Sequence, residues 1–333
     1  MEYTENLVTS ADGTKIGYRT LGSGPEVVLL HGAMESAHSH MGMARALAGQ
    51  FTVHLPDRRG RGASGPFPDS YSIATEVEDL AAVLDRTGAS RVFGVSEGGL
   101  IVLAAARALP GIRKVALYEP ALILEGTEYT SWLPRYDREM AAGKVAEALV
   151  TSMAGLRLGP PAWFPRRLLV TATKAMMKSQ DKKAVSGEPT MRELAPTLHY
   201  TGLLLTEMTG TVASFADIGA GVLLLSAGKG LSWLRPGLDA LAEVLPAVTR
   251  HEFAGLDHGG SGDRAKTNPG GKPDVVACGS CGRWICPRHQ EHWMSRTVCI
   301  GCRQRLVRVA ATHVALVIGA LLLIAYLFFW GAR

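Results

Sequence analysis

The chain has 333 residues, of which 47% are hydrophobic and 20% are charged, and its formal net charge is +5. A chain of this length and composition can bury a large core and has room for two or three domains. The positive charge is modest and is not gathered into one basic arm, which argues against a nucleic-acid-binding protein. All five cysteines lie between residues 278 and 302, which favours a local metal site over a disulfide framework.

Strands and helices alternate along the first part of the chain. Residues 5–21 predict a hairpin around Asp12-Gly13, because an Asp-Gly pair between apolar runs is typical of a tight turn. Short apolar runs then predict buried strands, and longer runs predict helices between them. The expected strands lie at 26–30, 52–56, 91–95 and 113–119, and the expected helices lie at 36–50, 71–87 and 97–108. This alternation predicts a parallel sheet with right-handed crossovers.

A Gly-x-Ser-x-Gly sequence, from Gly94 to Gly98, separates the strand at 91–95 from the helix at 97–108. A serine on such a sharp turn needs small neighbours, which leave its hydroxyl exposed at the end of the strand. Glu97 stands in the first turn of the helix, where the helix dipole favours an acidic side chain. The pattern therefore predicts Ser96 as a nucleophile.

Two further motifs accompany this serine. A buried strand runs into His31-Gly32, and a Gly-rich turn, Asp57-Arg-Arg-Gly60-Arg-Gly62-Ala-Ser64, follows the next strand. Together with the serine turn, these motifs resemble the α/β-hydrolase family. The resemblance implies that the backbone N–H groups of Ala33 and Glu97 form an oxyanion hole. The Gly-rich turn is expected to be structural, as such charged turns usually are.

The alternation stops between residues 121 and 218. Helical patterns rich in Ala, Met, Leu and Arg, broken by Pro160-Pro161 and Pro165, resemble the helical cap that many α/β-hydrolases insert over the active site. The expected fold class is therefore α/β, a mostly parallel α/β-hydrolase sheet with a helical cap. Several apolar side chains of the cap suit a substrate pocket, although packing on the sheet is the commoner use of each one. They are Trp163, Phe164, Met176, Met177 and Met191.

The sheet resumes after residue 218. Strands are expected at 221–226 and 248–253, and a helix is expected at 235–245. His258 follows the last strand in a Gly-x-x-His sequence, where the family places its general base. His31 and His54 are competitors, but His31 belongs to the oxyanion loop and His54 lies in the middle of a strand.

The catalytic acid departs from the family pattern. The family usually has Gly-x-x-Asp after the strand expected here at 221–226, but in this chain the sequence is Gly228-Lys229-Gly230-Leu231-Ser232. Asp239 falls within a helix, and Asp217 stands at the wrong end of its strand, because catalytic groups gather at carboxyl ends. Glu119 ends the previous strand, where some relatives carry the acid. Either Glu119 orients His258, or it only braces the Glu-Pro turn and leaves a dyad.

The cysteines form pairs with metal-binding spacing. The first expected site consists of Cys278, Cys281, Cys299 and Cys302. Two Cys-x-x-Cys knuckles supply four thiolates, which is a strong signal for a closed, structural zinc site, and the stretch resembles part of a B-box-type finger. Cys286 and His289 form a third knuckle, which either joins a second site with His292 or remains a structural thiol and imidazole. No cofactor for catalysis is expected.

Residues 309–330 contain no charged side chain. At about 1.5 Å per residue, a helix of this length spans about 33 Å, enough to cross a bilayer core. Three arginines precede the segment and aromatic residues crowd its far end, so a single-pass C-terminal anchor is expected, with the bulk of the chain in the cytoplasm. A buried soluble helix is the alternative.

Five segments are thus expected. They are two parts of a hydrolase core at 1–120 and 219–277, a cap at 121–218, a zinc-finger module at 278–304 and a transmembrane helix at 309–330.

Two functional classes follow from these features. The first is a membrane-tethered serine hydrolase that cleaves an ester or similar small acyl compound, in which Ser96 attacks, His258 transfers the proton and Glu119 orients the imidazole. The second is a catalytically weak or inactive hydrolase-fold adaptor at a membrane, with a protein partner bound through the zinc module. Fold alone does not choose between them. The character of the sequence changes abruptly at 277–278. This change also permits a third interpretation, that two unrelated coding stretches have been joined.

An epoxide hydrolase or a haloalkane dehalogenase is disfavoured by one residue. Those relatives place an aspartate where this chain has Ser96.

Overall fold

The computed structural model describes residues 2–127, 129–161, 163–182, 184 and 187–262, and the backbone of four short strands between residues 276 and 299. The chain divides into two compact units, residues 1–264 and residues 265–333. The boundary falls before residue 277, where the sequence predicts the end of the hydrolase core.

Eight strands form the central sheet of the first unit. They are β1 (Thr4–Thr9), β2 (Lys15–Gly22), β3 (Glu26–Leu30), β4 (Thr52–Pro56), β5 (Arg91–Val95), β6 (Lys114–Tyr118), β7 (Gly221–Lys229) and β8 (Val248–Asp257). Their order across the sheet is β1-β2-β4-β3-β5-β6-β7-β8. β2 is antiparallel to both of its neighbours, and the strands from β3 to β8 run parallel. The predicted mostly parallel sheet is therefore confirmed.

Nine α-helices lie in the described part of the first unit. They are α1 (Met41–Leu47), α2 (Ile73–Thr87), α3 (Glu97–Ala108), α4 (Leu133–Ala141), α5 (Val145–Gly155), α6 (Arg166–Asp181), α7 (Met191–Leu194), α8 (Thr197–Met208) and α9 (Arg235–Val244). Five of them, α4 to α8, lie between β6 and β7 in the segment predicted as a cap. They are called the inserted helices below.

Helix α3 places the predicted nucleophile against the sheet. Its side chains at Leu100, Ile101, Val102 and Leu103 are fully buried, so the helix is apolar on every face. Burial of each such side chain contributes about 1.5–3 kcal/mol, which is why this helix lies in the main core rather than on the surface. The amino end of α3, and with it Ser96, is held where β5 ends.

The larger differences between expected and observed boundaries concern three elements. The expected helix at 36–50 is a 3₁₀ turn, Ala37–His40, followed by the short helix α1. Strands β7 and β8 extend beyond 226 and 253, because their pairing continues past an irregularity between Ala227 and Lys229. This extension carries the sheet as far as Asp257, so His258 follows the last residue of β8 directly.

The apolar residues proposed for the inserted helices divide into buried and exposed side chains. Met177 is buried, but its neighbour Met176 is 43% exposed and Trp163 is 79% exposed. The alternative that each of these side chains packs on the sheet is therefore wrong for Met176 and Trp163. Helix α6 lies at the surface, with one side toward the core and the other toward solvent. The consecutive residues Met177 and Met176 lie on these two sides.

The second unit contains two short strand pairs. β9 (Val276–Ala277) pairs antiparallel with β10 (Trp284–Ile285), and β11 (Gln290–Trp293) pairs antiparallel with β12 (Arg296–Cys299). The side chains of all seven predicted zinc ligands and the predicted transmembrane segment, 309–330, lie outside the described residues. Within the described part of the chain, no helix is long and apolar enough to cross a membrane. The same part contains no group of three or more His, Cys, Asp or Glu side chains able to hold a metal ion.

Candidate active site

Ser96 lies in a strained turn between β5 and α3. Its backbone has φ 52° and ψ −117°, a conformation that non-glycine residues rarely adopt and that often marks a functional site. The N–H of Ser96 donates to the carbonyl oxygen of Tyr118 at 3.0 Å. Its own carbonyl oxygen accepts from the N–H groups of Gly99 and Ala121 at 2.9 and 3.1 Å. These bonds hold the turn and fix the direction of the serine side chain.

Close packing explains the two glycines of the turn. A Cβ on Gly98 would lie 2.5 Å from the carbonyl oxygen of His31, and a Cβ on Gly94 would lie 2.7 Å from that of Gly98. A side chain at either position would therefore push α3 away from the ends of β3 and β5.

The three predicted catalytic side chains are in hydrogen-bond contact. His258 Nε2 lies 3.1 Å from Ser96 Oγ, and His258 Nδ1 lies 2.7 Å from Glu119 Oε2. The second carboxylate oxygen of Glu119 accepts from the N–H of Ala227 at 3.1 Å. Glu119 is 2% exposed, and its carboxylate is held from both sides. The carboxylate of the residue that follows β6 thus reaches the histidine that follows β8.

The other candidate acids have different partners. Asp239 accepts from Arg250 Nη2 at 2.8 Å on the surface, and Asp217 lies 3.7 Å from Arg107 Nε. Of the carboxylates considered from the sequence, it is Glu119 that contacts the imidazole of His258.

Tyr118 is a site residue that sequence reasoning missed. Its hydroxyl donates to the carbonyl oxygen of Asp257 at 2.5 Å, which ties β6 to the residue before His258. That oxygen also accepts from the N–H of Gly260 at 2.9 Å. Burial, followed by the charges of Glu119 and Asp257, raises the pKa of the Tyr118 phenol, so the hydroxyl stays protonated as a donor. Strand alternation alone would place residues 118 and 119 on opposite faces of the sheet and gives no hint of this shared role.

The two predicted oxyanion donors are available. Within the described chain, neither the N–H of Ala33 nor that of Glu97 donates a hydrogen bond to another residue. The N–H of Glu97 is the first of α3, where no intrahelical acceptor exists. Neither group thus has a hydrogen-bond acceptor among the described residues.

His31 supports the oxyanion loop. It is 1% exposed, its Nδ1 lies 3.0 Å from the carbonyl oxygen of Gly32, and its Nε2 lies 3.2 Å from the N–H of Arg58. Burial, and then the charges of Arg61 and Arg58, lower its pKa well below the ordinary value, so the ring is neutral. Because the N–H of Arg58 requires an acceptor, the proton of the ring lies on Nδ1. His31 is thus a brace and not a competing base.

His54 is also engaged away from the serine. Its Nδ1 lies 2.9 Å from Thr20 Oγ1 and its Nε2 lies 2.6 Å from Glu26 Oε2.

A buried ionic network surrounds Arg58. Arg58 Nη1 and Nη2 donate to the two carboxylate oxygens of Glu97 at 2.7 and 3.1 Å, and Arg58 Nε and Nη2 donate to Glu76 at 2.9–3.1 Å. Thr201 of α8 donates to Glu97 at 3.1 Å, and Tyr71 donates to Glu76. The network joins the Gly-rich turn, the residue after the nucleophile and the inserted helices. The sequence predicted a structural role for the turn but did not reveal these partners, which come from distant parts of the chain.

An apolar groove lies at the other end of the sheet. It has a volume of about 860 Å³ and is lined by Arg91, Lys114 and Val248, the first residues of β5, β6 and β8. Ser96 and Glu119 follow the last residues of their strands, so this groove does not contain the candidate site.

Comparison with known proteins agrees with this geometry. The profile described as "Alpha/beta hydrolase family" matches residues 27–267. An alpha/beta hydrolase from Sphaerobacter thermophilus is 32% identical, with a TM-score of 0.62 over 74% of this chain and 91% of that chain. The esterase RhEst1 from Rhodococcus sp. ECU1013 is 23% identical, with a TM-score of 0.52 over 78% of this chain and 92% of that chain, and shows the shared fold alone.

A curated relative matches a shorter stretch. A soluble epoxide hydrolase from Corynebacterium sp. strain C12 is 40% identical over 95 residues, which are 27% of this chain and 32% of that protein. The chain thus matches about a third of the length of that relative. The family profile covers most of the first unit, where β5 leads through the serine turn into α3. On this evidence the chain belongs to the alpha/beta hydrolase family.

Proposed function

We propose that the protein is a serine hydrolase that cleaves an ester or a similar small acyl compound. The observation that carries the proposal is the hydrogen-bonded series from Ser96 Oγ through His258 to Glu119, with distances of 3.1 and 2.7 Å. A hydroxyl, an imidazole and a buried carboxylate in this order form the arrangement that activates a serine for acyl transfer.

The geometry supports the following acylation step. Ser96 Oγ attacks the carbonyl carbon of the substrate while its proton passes to His258 Nε2. The imidazolium that forms keeps its Nδ1 proton in the hydrogen bond to Glu119, whose negative charge stabilises it. The same Nε2 proton then passes to the leaving oxygen as the tetrahedral intermediate collapses to an acyl-serine.

The negative oxygen of the intermediate requires donors that are already in place. The free N–H groups of Ala33 and Glu97 suit this role, because preorganised donors stabilise the charge without further rearrangement. Arg58 holds the side chain of Glu97 and, through its backbone N–H, also holds His31 in the other loop. We therefore assign Arg58 a positioning role for both sides of the oxyanion hole.

Deacylation reverses the sequence with water. His258 takes a proton from the water molecule, which attacks the acyl carbon, and the proton then returns to Ser96 Oγ as the acid product leaves. No metal or organic cofactor takes part in this proposal.

Acyl transfer is favoured over epoxide opening for a chemical reason. Attack of a serine on an epoxide carbon would form an ether, which has no carbonyl carbon that water can attack. An enzyme with Ser96 would therefore not turn over, whereas the acyl-serine is hydrolysed. The similarity to an epoxide hydrolase over 95 residues is consequently assigned to shared fold elements.

The inactive-adaptor alternative is favoured by the lack of a carboxylate in Gly228-Lys229-Gly230-Leu231-Ser232. Glu119 now supplies a carboxylate at hydrogen-bond distance from His258. A carboxylate that orients His258 supports a catalytically active enzyme rather than an inactive scaffold.

Two further proposals rest on residues outside the described part of the chain. Four thiolates from two Cys-x-x-Cys knuckles have the donor chemistry of a structural zinc site, with Cys278, Cys281, Cys299 and Cys302 as the ligands. The uncharged segment 309–330 has the length of a single-pass anchor. We infer a hydrolase tethered at a membrane with its bulk in the cytoplasm.

Covalent labelling tests the proposed activity directly. A fluorophosphonate probe should label the full-length protein at Ser96, and labelling should disappear in Ser96→Ala. The purified protein should also hydrolyse a neutral short-chain p-nitrophenyl ester, with the same variant as the inactive control. If the folded wild-type protein neither reacts with the probe nor hydrolyses esters, the inactive-adaptor alternative is favoured instead.

A further inference from the structure

The Gly-rich turn contains three buried arginines, and they differ in their partners. Arg58 pairs with Glu76 and Glu97, and Arg59 pairs with Asp12 and Asp79. Arg61 is 3% exposed, but within the described chain its guanidinium makes a single hydrogen bond, from Nη1 to the carbonyl oxygen of Arg59 at 3.3 Å.

Arg61 is thus a buried cation without a paired anion. Its Nε is buried and has no hydrogen-bond partner, and no described carboxylate forms an ion pair with it. Burying a charge without a partner is costly, and proteins normally pair such a charge or use it for a ligand. Burial, with a further contribution from the charge of Arg58, lowers the pKa of Arg61 to about 10, so it remains protonated at neutral pH.

A pocket of about 680 Å³ lies against this side chain. Arg61 lines it together with Arg19 of β2, Thr190 and Leu194. Its volume is within the range of pockets that hold small molecules. Both ends of α7 border the pocket, so its wall is built from the first strands of the sheet and from the inserted helices.

Arg19 provides a second partly unsatisfied cation. It is 6% exposed, its Nη1 has no hydrogen-bond partner, and Asp57 Oδ2 lies 4.0 Å from that nitrogen. Its Nη2 donates to the carbonyl oxygen of Gly187 at 3.4 Å. Arg19 and Arg61 thus line the same pocket, and each has one buried guanidinium nitrogen without a hydrogen-bond partner.

Three carboxylates line the pocket, and their partners are residues other than Arg61. Glu188 pairs with His38, and Glu193 accepts from the N–H of Thr190 at 2.7 Å at the start of α7. Glu5 has a side chain that is 71% exposed and lies 3.9 Å from Arg19 Nε. Glu5 pairs with Arg19, and none of these three carboxylates forms an ion pair with Arg61.

We propose that this pocket binds the carboxylate or phosphate group of a small anionic ligand, with Arg61 as the principal cation and Arg19 as the second. A planar guanidinium donates two parallel hydrogen bonds to such oxygens, which gives both charge neutralisation and orientation. The site is independent of the proposed hydrolysis and does not require Ser96 to react.

Direct binding to the full-length protein tests the proposal. Malonate and inorganic phosphate are titrated separately into the wild-type protein by calorimetry at constant ionic strength, and the two arms distinguish a carboxylate site from a phosphate site. We expect saturable binding of at least one anion. Arg61→Met should weaken it by about ten- to a hundredfold, because hydrogen bonds to charged groups contribute about that much. Arg19→Gln should weaken it less.

The controls separate binding from folding and from catalysis. Arg107→Met removes an exposed arginine far along the chain and should leave the affinity unchanged, and Ser96→Ala should bind as the wild type does. Arg61→Lys keeps the positive charge and replaces Arg61→Met in the experiment if that variant does not fold. It should also bind the anion more weakly than the wild type, because lysine lacks the planar guanidinium group. Equal affinities in the wild type and the Arg61 variant, or no saturable binding of either anion, would overturn the proposal. Failure of Ser96 to react would leave the binding result unaffected.

Discussion

A side chain on residue 230 cannot coexist with the carboxylate of Glu119, because a Cβ on Gly230 would lie 1.9 Å from Glu119 Oε1. The carboxylate that follows β6 therefore occupies the space beside the segment after β7. Within β7, the backbone N–H of Ala227 donates to the same carboxylate oxygen, Glu119 Oε1.

Gly230→Ala should reduce turnover without removing any catalytic group. The added methyl group would displace the Glu119 carboxylate from His258, and a displacement of about 1 Å costs about a hundredfold in rate. Ester hydrolysis and the melting temperature should be measured together. Gly111→Ala is the matched control, since a Cβ at that position meets no atom within 4 Å. Unchanged kcat/KM in Gly230→Ala would show that the position of the Glu119 carboxylate does not depend on the absence of a side chain at residue 230.

Glu119→Gln should lower activity by about 10⁴, the effect of neutralising a triad acid, because an amide can leave the imidazole in the wrong tautomer. Asp239→Asn and Asp257→Asn should retain activity near that of the wild type. Each variant is compared by turnover and by melting temperature. If Glu119→Gln loses stability but keeps its turnover, Glu119 only braces the turn before Pro120.

Glu76 should make stability depend on acidic pH. Burial acts to raise its pKa, but the charge and hydrogen bonds of Arg58 outweigh burial and hold the pKa below its ordinary value of 4.5. A carboxyl with a lowered folded-state pKa contributes stability that is complete above about pH 4.5 and is lost as the pH falls through the folded value.

Glu76→Gln should therefore flatten the acid limb of the stability curve. The slope should fall by up to about 1.4 kcal/mol per pH unit. At pH 7 the variant should be less stable by about 3–5 kcal/mol, since Arg58 loses one of its buried partners. Urea unfolding at several pH values between 3 and 7 measures both effects. Glu78→Gln, at an exposed position of the same helix, should leave the curve unchanged; parallel curves for wild type and Glu76→Gln would contradict the assignment.

The full-length protein should contain at least one tightly bound zinc ion. Metal analysis after purification without added metal should find it, and Cys278→Ser with Cys281→Ser should remove it, because a closed site needs all four thiolates. Cys286→Ser is the matched control. Retention of one ion in that variant supports the four-cysteine site, whereas a protein without zinc argues against it.

Truncation after Arg308 should release the protein from membranes. The removed segment includes 309–330, whose uncharged sequence is long enough to cross a bilayer. Fractionation of cells that express the full-length and truncated chains measures the distribution. A truncated chain that still sediments with membranes would place the anchor elsewhere.

The sequence alone determined the elements that carry the site. Strand β5, the serine turn and helix α3 are local patterns, because a short apolar run, small residues at a sharp turn and a longer apolar run each specify their own backbone. The family, Ser96 and the histidine after β8 followed from these patterns and from their order along the chain.

Tertiary structure decided which side chains meet. Glu119 and His258 are 139 residues apart, and their contact depends on the parallel pairing of β6, β7 and β8 and on the irregularity near Ala227. The hydroxyl of Tyr118 and the partners of Arg58 likewise come from distant segments. Arg61 has the same chemistry as Arg58 and stands three residues from it, yet one is paired and the other faces a pocket. Sequence specifies charge and local backbone, whereas pairing depends on which groups the fold brings within hydrogen-bond distance in a buried, water-poor interior.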